Sequence, residues 1–140
     1  MIVLDTNIVS ELQRPRPAGP VLNWIASIDM RETFVCDPVL MEQAYGAERH
    51  FLRSGSIRYR TTLSMLRNAF VGRTLEMDTR TFERAGVVRA LRESLGRPIS
   101  VQDAMIAAIC LVHGATLATR NVRDFVGLDL KLVNPFEAGA

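Results

Sequence analysis

Asp5, Asp103 and the pair Asn121 and Asp124 are residues whose type and setting could do chemistry. Met1-Ile-Val-Leu runs directly into Asp5-Thr6-Asn7, which predicts a short buried strand delivering a carboxylate at its carboxyl end. In an open parallel sheet, ligands bind at that end. Asp103 opens an apolar helical run, and Asn121 and Asp124 follow a run that reads as another strand, 115–119. If these ends converge at one sheet edge, carboxylates crowd together without a counter-charge. They would repel and take up protons, so such a cluster makes sense around a divalent cation. Oxygen-only ligands, with no Cys or His among them, favour Mg²⁺ or Mn²⁺ over Zn²⁺.

Each residue also has a plainer reading. Asp, Thr and Asn accept hydrogen bonds from the first amides of a helix, and Ile8-Val9-Ser10-Glu11-Leu12 follows Asp5 at once, so Asp5 taken alone is a cap. Ser100 and Asp103 have the spacing of a capping box, and a carboxylate in a first helical turn is favoured by ~0.3–1 kcal/mol. Asp124 reads as a loop cap beside Phe125, and Asp37 before Pro38 as turn chemistry. His50 and His113 are isolated and receive no role.

The elements that must hold these residues follow from periodicity. Pro20 suits the first turn of a helix carrying Val21, Leu22, Trp24, Ile25 and Ile28. Thr33-Phe-Val-Cys36 reads as a second buried strand. Over 39–52 a helical wheel puts Val39, Leu40, Ala44, Ala47 and Phe51 inward and leaves Glu42 on a polar arc with Gln43, Gly46, Arg49 and His50. Glu48 falls among the apolar positions. A helix over 56–71 points Ile57, Leu63, Leu66 and Phe70 inward, with Arg58, Arg60 and Arg67 on a solvated face. A strand at 74–78 leads into a helix over 79–95 striped by Phe82, Ala85, Val88, Leu91 and Leu95. The helix from Asp103 to Val112 is apolar nearly all round, hence central, and Gly114 is its C-cap. A last strand spans 128–133.

Strands alternating with helices argue for a parallel sheet covered on both faces. With 140 residues and 48% apolar content, one domain over 1–140 with a real core is expected. No run is long enough for a membrane span and no signal peptide is evident, so a soluble, cytoplasmic protein is expected. Cys36 and Cys110 sit in apolar contexts as reduced core residues. A net charge of +2 does not by itself announce nucleic acid, although the basic side is almost wholly arginine, with Lys131 the one lysine.

Taken in order, Ile2-Val-Leu-Asp-Thr-Asn-Ile-Val-Ser-Glu-Leu12, Glu42-Gln-Ala-Tyr-Gly46, Asp103-Ala-Met-Ile-Ala-Ala108, Thr119-Arg-Asn-Val-Arg-Asp-Phe125 and Leu132-Val-Asn-Pro135 carry a resemblance over almost the whole length. The chain resembles the PIN-domain ribonucleases, specifically VapC toxins of type II toxin-antitoxin pairs in their FitB-like branch. That resemblance implies a PIN-like three-layer α/β/α fold around a mainly parallel sheet of about five short strands. Asp5, Glu42 and Asp103 match the family's metal-binding acids, overriding the wheel for Glu42. The fourth acid departs from the pattern: Asn121 stands directly after Thr-Arg, and Asp124 lies three residues on. Either can fill that catalytic position. Leu40-Met41 before Glu42 also departs, with an effect expected on packing alone.

The resemblance further implies Mg²⁺- or Mn²⁺-assisted hydrolysis of an RNA phosphodiester. Thr6 and Asn7 would orient Asp5 and coordinated water, and Arg120 and Arg123 would contact the RNA backbone; solvent-facing loop charge is the equal alternative for both. Single-stranded loops are the natural substrate because A-form duplex hides base edges. A homodimer is implied, neutralised by a VapB-like antitoxin through which alone operator DNA is bound. Apolar surface around Trp24 and 63–70 would receive the antitoxin's C-terminal segment. Two other classes remain: a catalytically weak module acting through antitoxin and operator binding, motivated by Asn121, and a phosphatase with Asp5 as nucleophile, weakened by Asn7 where a second Asp is usual.

Overall fold

The computed structural model describes residues 1–137. Its centre is a sheet of five strands, β1 (Ile2–Leu4), β2 (Thr33–Cys36), β3 (Thr74–Leu75), β4 (Thr116–Ala118) and β5 (Lys131–Val133), in the order β3-β2-β1-β4-β5. Every pairing is parallel. The expected mainly parallel sheet is thus wholly parallel, and the three-layer α/β/α arrangement holds. Strands β3 and β5 are shorter than the runs 74–78 and 128–133, because Asp78 turns away to cap the next helix and only Lys131–Val133 stays in register with β4. Central β1 pairs Ile2 with both Thr33 and Thr116, and Leu4 with Ala118. The Asp5 amide continues the ladder, donating to the Ala118 carbonyl at 2.9 Å.

Among the described residues six helices cover the sheet: α1 (Thr6–Leu12), α2 (Gly19–Ser27), α3 (Asp37–Ser54), α4 (Arg58–Ala69), α5 (Thr79–Ser94) and α6 (Val101–His113). Helix α6 is central as its composition requires, with Ala104 and every residue from Ile106 to Cys110 buried. The Ser100 hydroxyl accepts from the Asp103 amide at 3.1 Å, and Gly114 closes the helix at φ +62°. That left-handed backbone costs a side-chain-bearing residue about 1 kcal/mol or more. Core packing unites Val3, Leu4 and Leu117 of the sheet with Ile8, Val39, Ile106 and Phe125. Both cysteines are buried and free. Among the described residues no helix is long and apolar enough to cross a membrane.

Several wheel assignments fail, for physical reasons. In α5 the inward stripe is Thr81, Ala85, Val88 and Arg92, whereas Phe82, Leu91 and Leu95 are half or more exposed. Arg92 stays inside because its guanidinium donates to the carbonyls of Arg97 and Val126. Ala44 and Ile57 are exposed. Glu48 is exposed too, and its place among apolar positions is explained by a bidentate pair with Arg60 of α4 at 2.8–2.9 Å. Trp24, Leu66 and Phe70 are themselves buried in the core, and the exposed apolar side chains around them are Leu22 and Met65, joined by Ile57 and Tyr59.

Candidate active site

The order β3-β2-β1-β4-β5 reverses direction between β1 and β4, and such a switch point opens a crevice beyond the strand ends. Asp5 follows β1 and Thr119 follows β4 at that point. Asp5 is 5% exposed. Its Oδ1 accepts from the Thr6 amide at 2.8 Å, which makes it the cap of α1. Its Oδ2 accepts from the Thr119 hydroxyl at 2.7 Å and from Asn7 Nδ2 at 3.3 Å. The cap reading and the site reading therefore describe the two oxygens of one carboxylate. Burial pushes Asp5 above the ordinary carboxylate range, the Thr119 and Thr6 hydrogen bonds draw it back, and the Glu42 charge raises it further.

Thr119 is fully buried and organises this corner. Besides donating to Asp5, its oxygen accepts from the Asn121 amide at 3.1 Å and from Asn7 Nδ2 at 3.4 Å. Asn7 Oδ1 accepts from the Arg120 amide at 3.1 Å, locking the loop after β4 to the start of α1. In the sequence Thr119 is marked only by its position at a strand end, and its partnership with Asp5 follows once β4 lies beside β1.

Asp103, half-buried in the first turn of α6, is raised to about 6, by burial first, then by the charges of Asp5, Asp124 and Glu42. Those three acids thus act on Asp103 electrostatically. Glu42 is half-buried because the polar arc of α3 lines a cleft against α1, where Gln43 Nε2 donates to Ser10 Oγ at 3.1 Å. Asn121 is exposed, joined to the corner by its backbone amide, and precedes the 3-10 turn Val122–Phe125 that carries the exposed Asp124. Buried Phe125 pins that turn. Arg92 of α5 ties the approach to α6 to the segment after the turn through its two carbonyl partners.

Beside this corner lies an open cleft of about 700 Å³ lined by residues of α1, α3 and α4 with Arg120 and Phe136. Arg120 and Arg58 are on its wall, while Arg123 lines a separate hollow with Asn121 and Asp124. Among the described residues no group of three or more His, Cys, Asp and Glu side chains stands ready to hold a metal ion. The donor chemistry fits a hard divalent cation all the same. Asp5 and Asp103 are both raised, each in part by a neighbouring acid, and neither is in an ion pair among the described residues, while Mg²⁺ keeps several waters and takes only one or two carboxylates directly. Thr6 Oγ1 is buried without a partner at the same corner.

A doubly wound α/β domain presenting acids at its switch point defines the class. Comparison with known proteins names it: the PIN domain family matches residues 2–129, and the chain belongs to that family, alongside the FitB and VapC toxins. It is 32% identical to plasmid stability protein StbB of Pseudomonas syringae pv. tomato, covering 99% of this chain and 100% of that one. It is 30% identical to toxin FitB of Neisseria gonorrhoeae, over 97% and 99% of the two chains. It is also 30% identical to VapC ribonuclease Y4jK of Sinorhizobium fredii, over 98% and 99%. Among solved structures, FitAB bound to a DNA fragment superposes with a TM-score of 0.87 at 26% identity, covering 100% of this chain and 99% of that one.

Proposed function

We propose that this protein is the toxin of a toxin-antitoxin pair, a metal-dependent endoribonuclease that hydrolyses RNA phosphodiester bonds. The observation that carries the reading is the buried Asp5 carboxylate at the β1/β4 switch point, with Asp103 raised to about 6 by its own burial and then by the charges of Asp5, Asp124 and Glu42. The names of VapC ribonuclease Y4jK and of a tRNA(fMet)-specific endonuclease VapC from Shigella flexneri, 27% identical, support the reaction class. Asp5, Glu42 and Asp103 would hold Mg²⁺ or Mn²⁺, with Asp124 or the Asn121 amide oxygen completing the set. Bound there, the cation supplies Lewis acidity at the scissile phosphate and a water of lowered pKa.

The chain's own residues do the remaining work. Thr119, Asn7 and the Thr6 amide fix both oxygens of Asp5, so the carboxylate meets its partner without reorganising. Asp103 is held rigidly in the first turn of α6, and Arg120 stands on the cleft wall where a phosphate backbone would pass. Arg123, in the neighbouring hollow, would meet the strand further along.

Neutralisation by a VapB-like antitoxin, with operator DNA bound only through it, is supported by FitAB and VapBC complexes sharing this fold. A docking segment would cover the apolar side chains that α4 leaves exposed, and a homodimer would use the exposed apolar face of α5. A catalytically weak module remains the second reading, favoured by the uncharged Asn121 and the lack of a ready metal-holding group among the described residues. Induced expression in a bacterial host separates them. Growth arrest with fragmented RNA, relieved by the antitoxin and lost in Asp103→Asn, supports the nuclease; arrest that Asp103→Asn leaves unchanged, with intact RNA, supports the module.

A further inference from the structure

Two arginines on the cleft wall lie over aromatic rings at cation–π distance. The Arg120 guanidinium lies 4.4 Å from the Phe136 ring centroid, and the Arg58 guanidinium 5.4 Å from that of Tyr59. All four residues line the same cleft as Glu42 and Asn7. Both pairs are built into the fold. Asn134 accepts from the Phe136 amide at 3.0 Å and donates to the Arg120 carbonyl at 3.5 Å, tying ring and guanidinium segments together. Tyr59 also packs against His50 in a T-shaped pair, with ring centroids 4.7 Å apart. Neither guanidinium has a carboxylate partner among the described ion pairs, whereas Arg14 and Arg60 are engaged by Glu11 and Glu48.

We propose that Arg120–Phe136 and Arg58–Tyr59 are two base-stacking platforms that seat unpaired nucleotides of a single-stranded RNA in this cleft. The inference rests on the nuclease reading above and adds to it a mode of substrate recognition. A guanidinium and an aromatic ring held together in cation–π contact offer a flat, polarisable surface to a base and N–H groups to the adjoining phosphate. Bases paired and stacked within a duplex have no free face to offer, so the platforms select single strands. Because every base has a π-face, they set strandedness and register while leaving sequence tolerant. Their positions, one beyond the ends of β4 and β5 and the other at the start of α4, place nucleotides along a cleft that runs past Glu42 and Asn7.

The test is fluorescence anisotropy of the antitoxin-free protein with a labelled single-stranded RNA of about 12 nucleotides and with its duplex, both in EDTA so that the probe stays intact. Phe136→Leu, Tyr59→Leu, Arg120→Lys and Arg58→Lys should each weaken single-strand binding about tenfold. The lysine variants should keep the salt dependence of the parent, since charge is conserved. Phe136→Tyr should restore binding, which separates loss of a platform from loss of folding. Arg89→Lys, on the exposed side of α5, should bind as the parent does. Unchanged affinity in the leucine and lysine variants, or equal binding of duplex and single strand, overturns the inference. So does a cleft that binds no RNA but takes an antitoxin-derived peptide. Cleavage by the parent in Mg²⁺ is scored separately: platform-dependent binding without cleavage sinks only the nuclease reading, and cleavage with normal binding by the variants sinks only the platforms.

Discussion

Replacing Asp103 by Asn should make the protein more stable while disabling it. Burial and the neighbouring acids raise the carboxyl from 3.8 to about 6. Between those values the folded state binds more protons than the unfolded state, so stability falls as pH rises through the window and the full penalty is present above about pH 6. At about 1.4 kcal/mol per tenfold change in proton affinity, the penalty is at most about 3 kcal/mol. Part exposure roughly halves it. Losing a charge from the first turn of α6 returns ~0.3–1 kcal/mol of helix-dipole stabilisation. The bond from the Asp103 amide to Ser100 Oγ survives, because it uses the backbone. A net gain of about 1 kcal/mol remains, a rise in Tm of about 3 °C for a domain of this size. Differential scanning fluorimetry without divalent cations should show that rise at pH 7.5 and little of it near pH 4. An equal loss of stability at both pH values would instead make Asp103 a helix cap alone, with no buried-charge penalty.

Thr119→Val removes a fully buried hydroxyl serving Asp5, Asn7 and the Asn121 amide; urea denaturation should show a loss of about 1–3 kcal/mol. Arg92→Met keeps the bulk of the stem but leaves the carbonyls of Arg97 and Val126 unpaired, and should cost about 2–4 kcal/mol in the same assay. Neither Cys36 nor Cys110 should react with a thiol reagent until the chain unfolds, since both are buried and Cys36 is pushed up to about 12. Gly114→Ala, at φ +62°, should lower stability by about 1 kcal/mol, measurable as a Tm shift.

Local chemistry made much of the fold legible. Apolar runs ending in Asp5 and Cys36 marked buried strands, Ser100 and Gly114 bracketed α6, and the near-continuous apolarity of 104–112 placed that helix in the centre. The wheels failed where a second partner changed what a face means. In α5, Arg92 follows Thr81, Ala85 and Val88 at helical spacing, so the inward stripe was present in the sequence, but a lone arginine reads as solvent-facing until backbone carbonyls are found to receive it. In α3, Glu42 belongs to a polar arc that meets a cleft instead of bulk water, a distinction made by the packing of α1 and supplied at the sequence level only by family resemblance. The places of Asp5 at the end of β1 and of Asp103 in the first turn of α6 were legible in the sequence. The role of Thr119 was not, because its partnership with Asp5 depends on β4 pairing with β1 across more than a hundred residues.

If Asp5 and Asp103 serve a nuclease centre, purified, antitoxin-free protein incubated with total cellular RNA in Mg²⁺ or Mn²⁺, beside EDTA and the Asp5→Asn, Asp103→Asn double variant, will show it most directly. Discrete fragments are expected with either cation, and intact RNA with the chelator and with the double variant. Fragments that persist in the double variant, or RNA left whole by folded, cation-bound parent protein, would contradict that role.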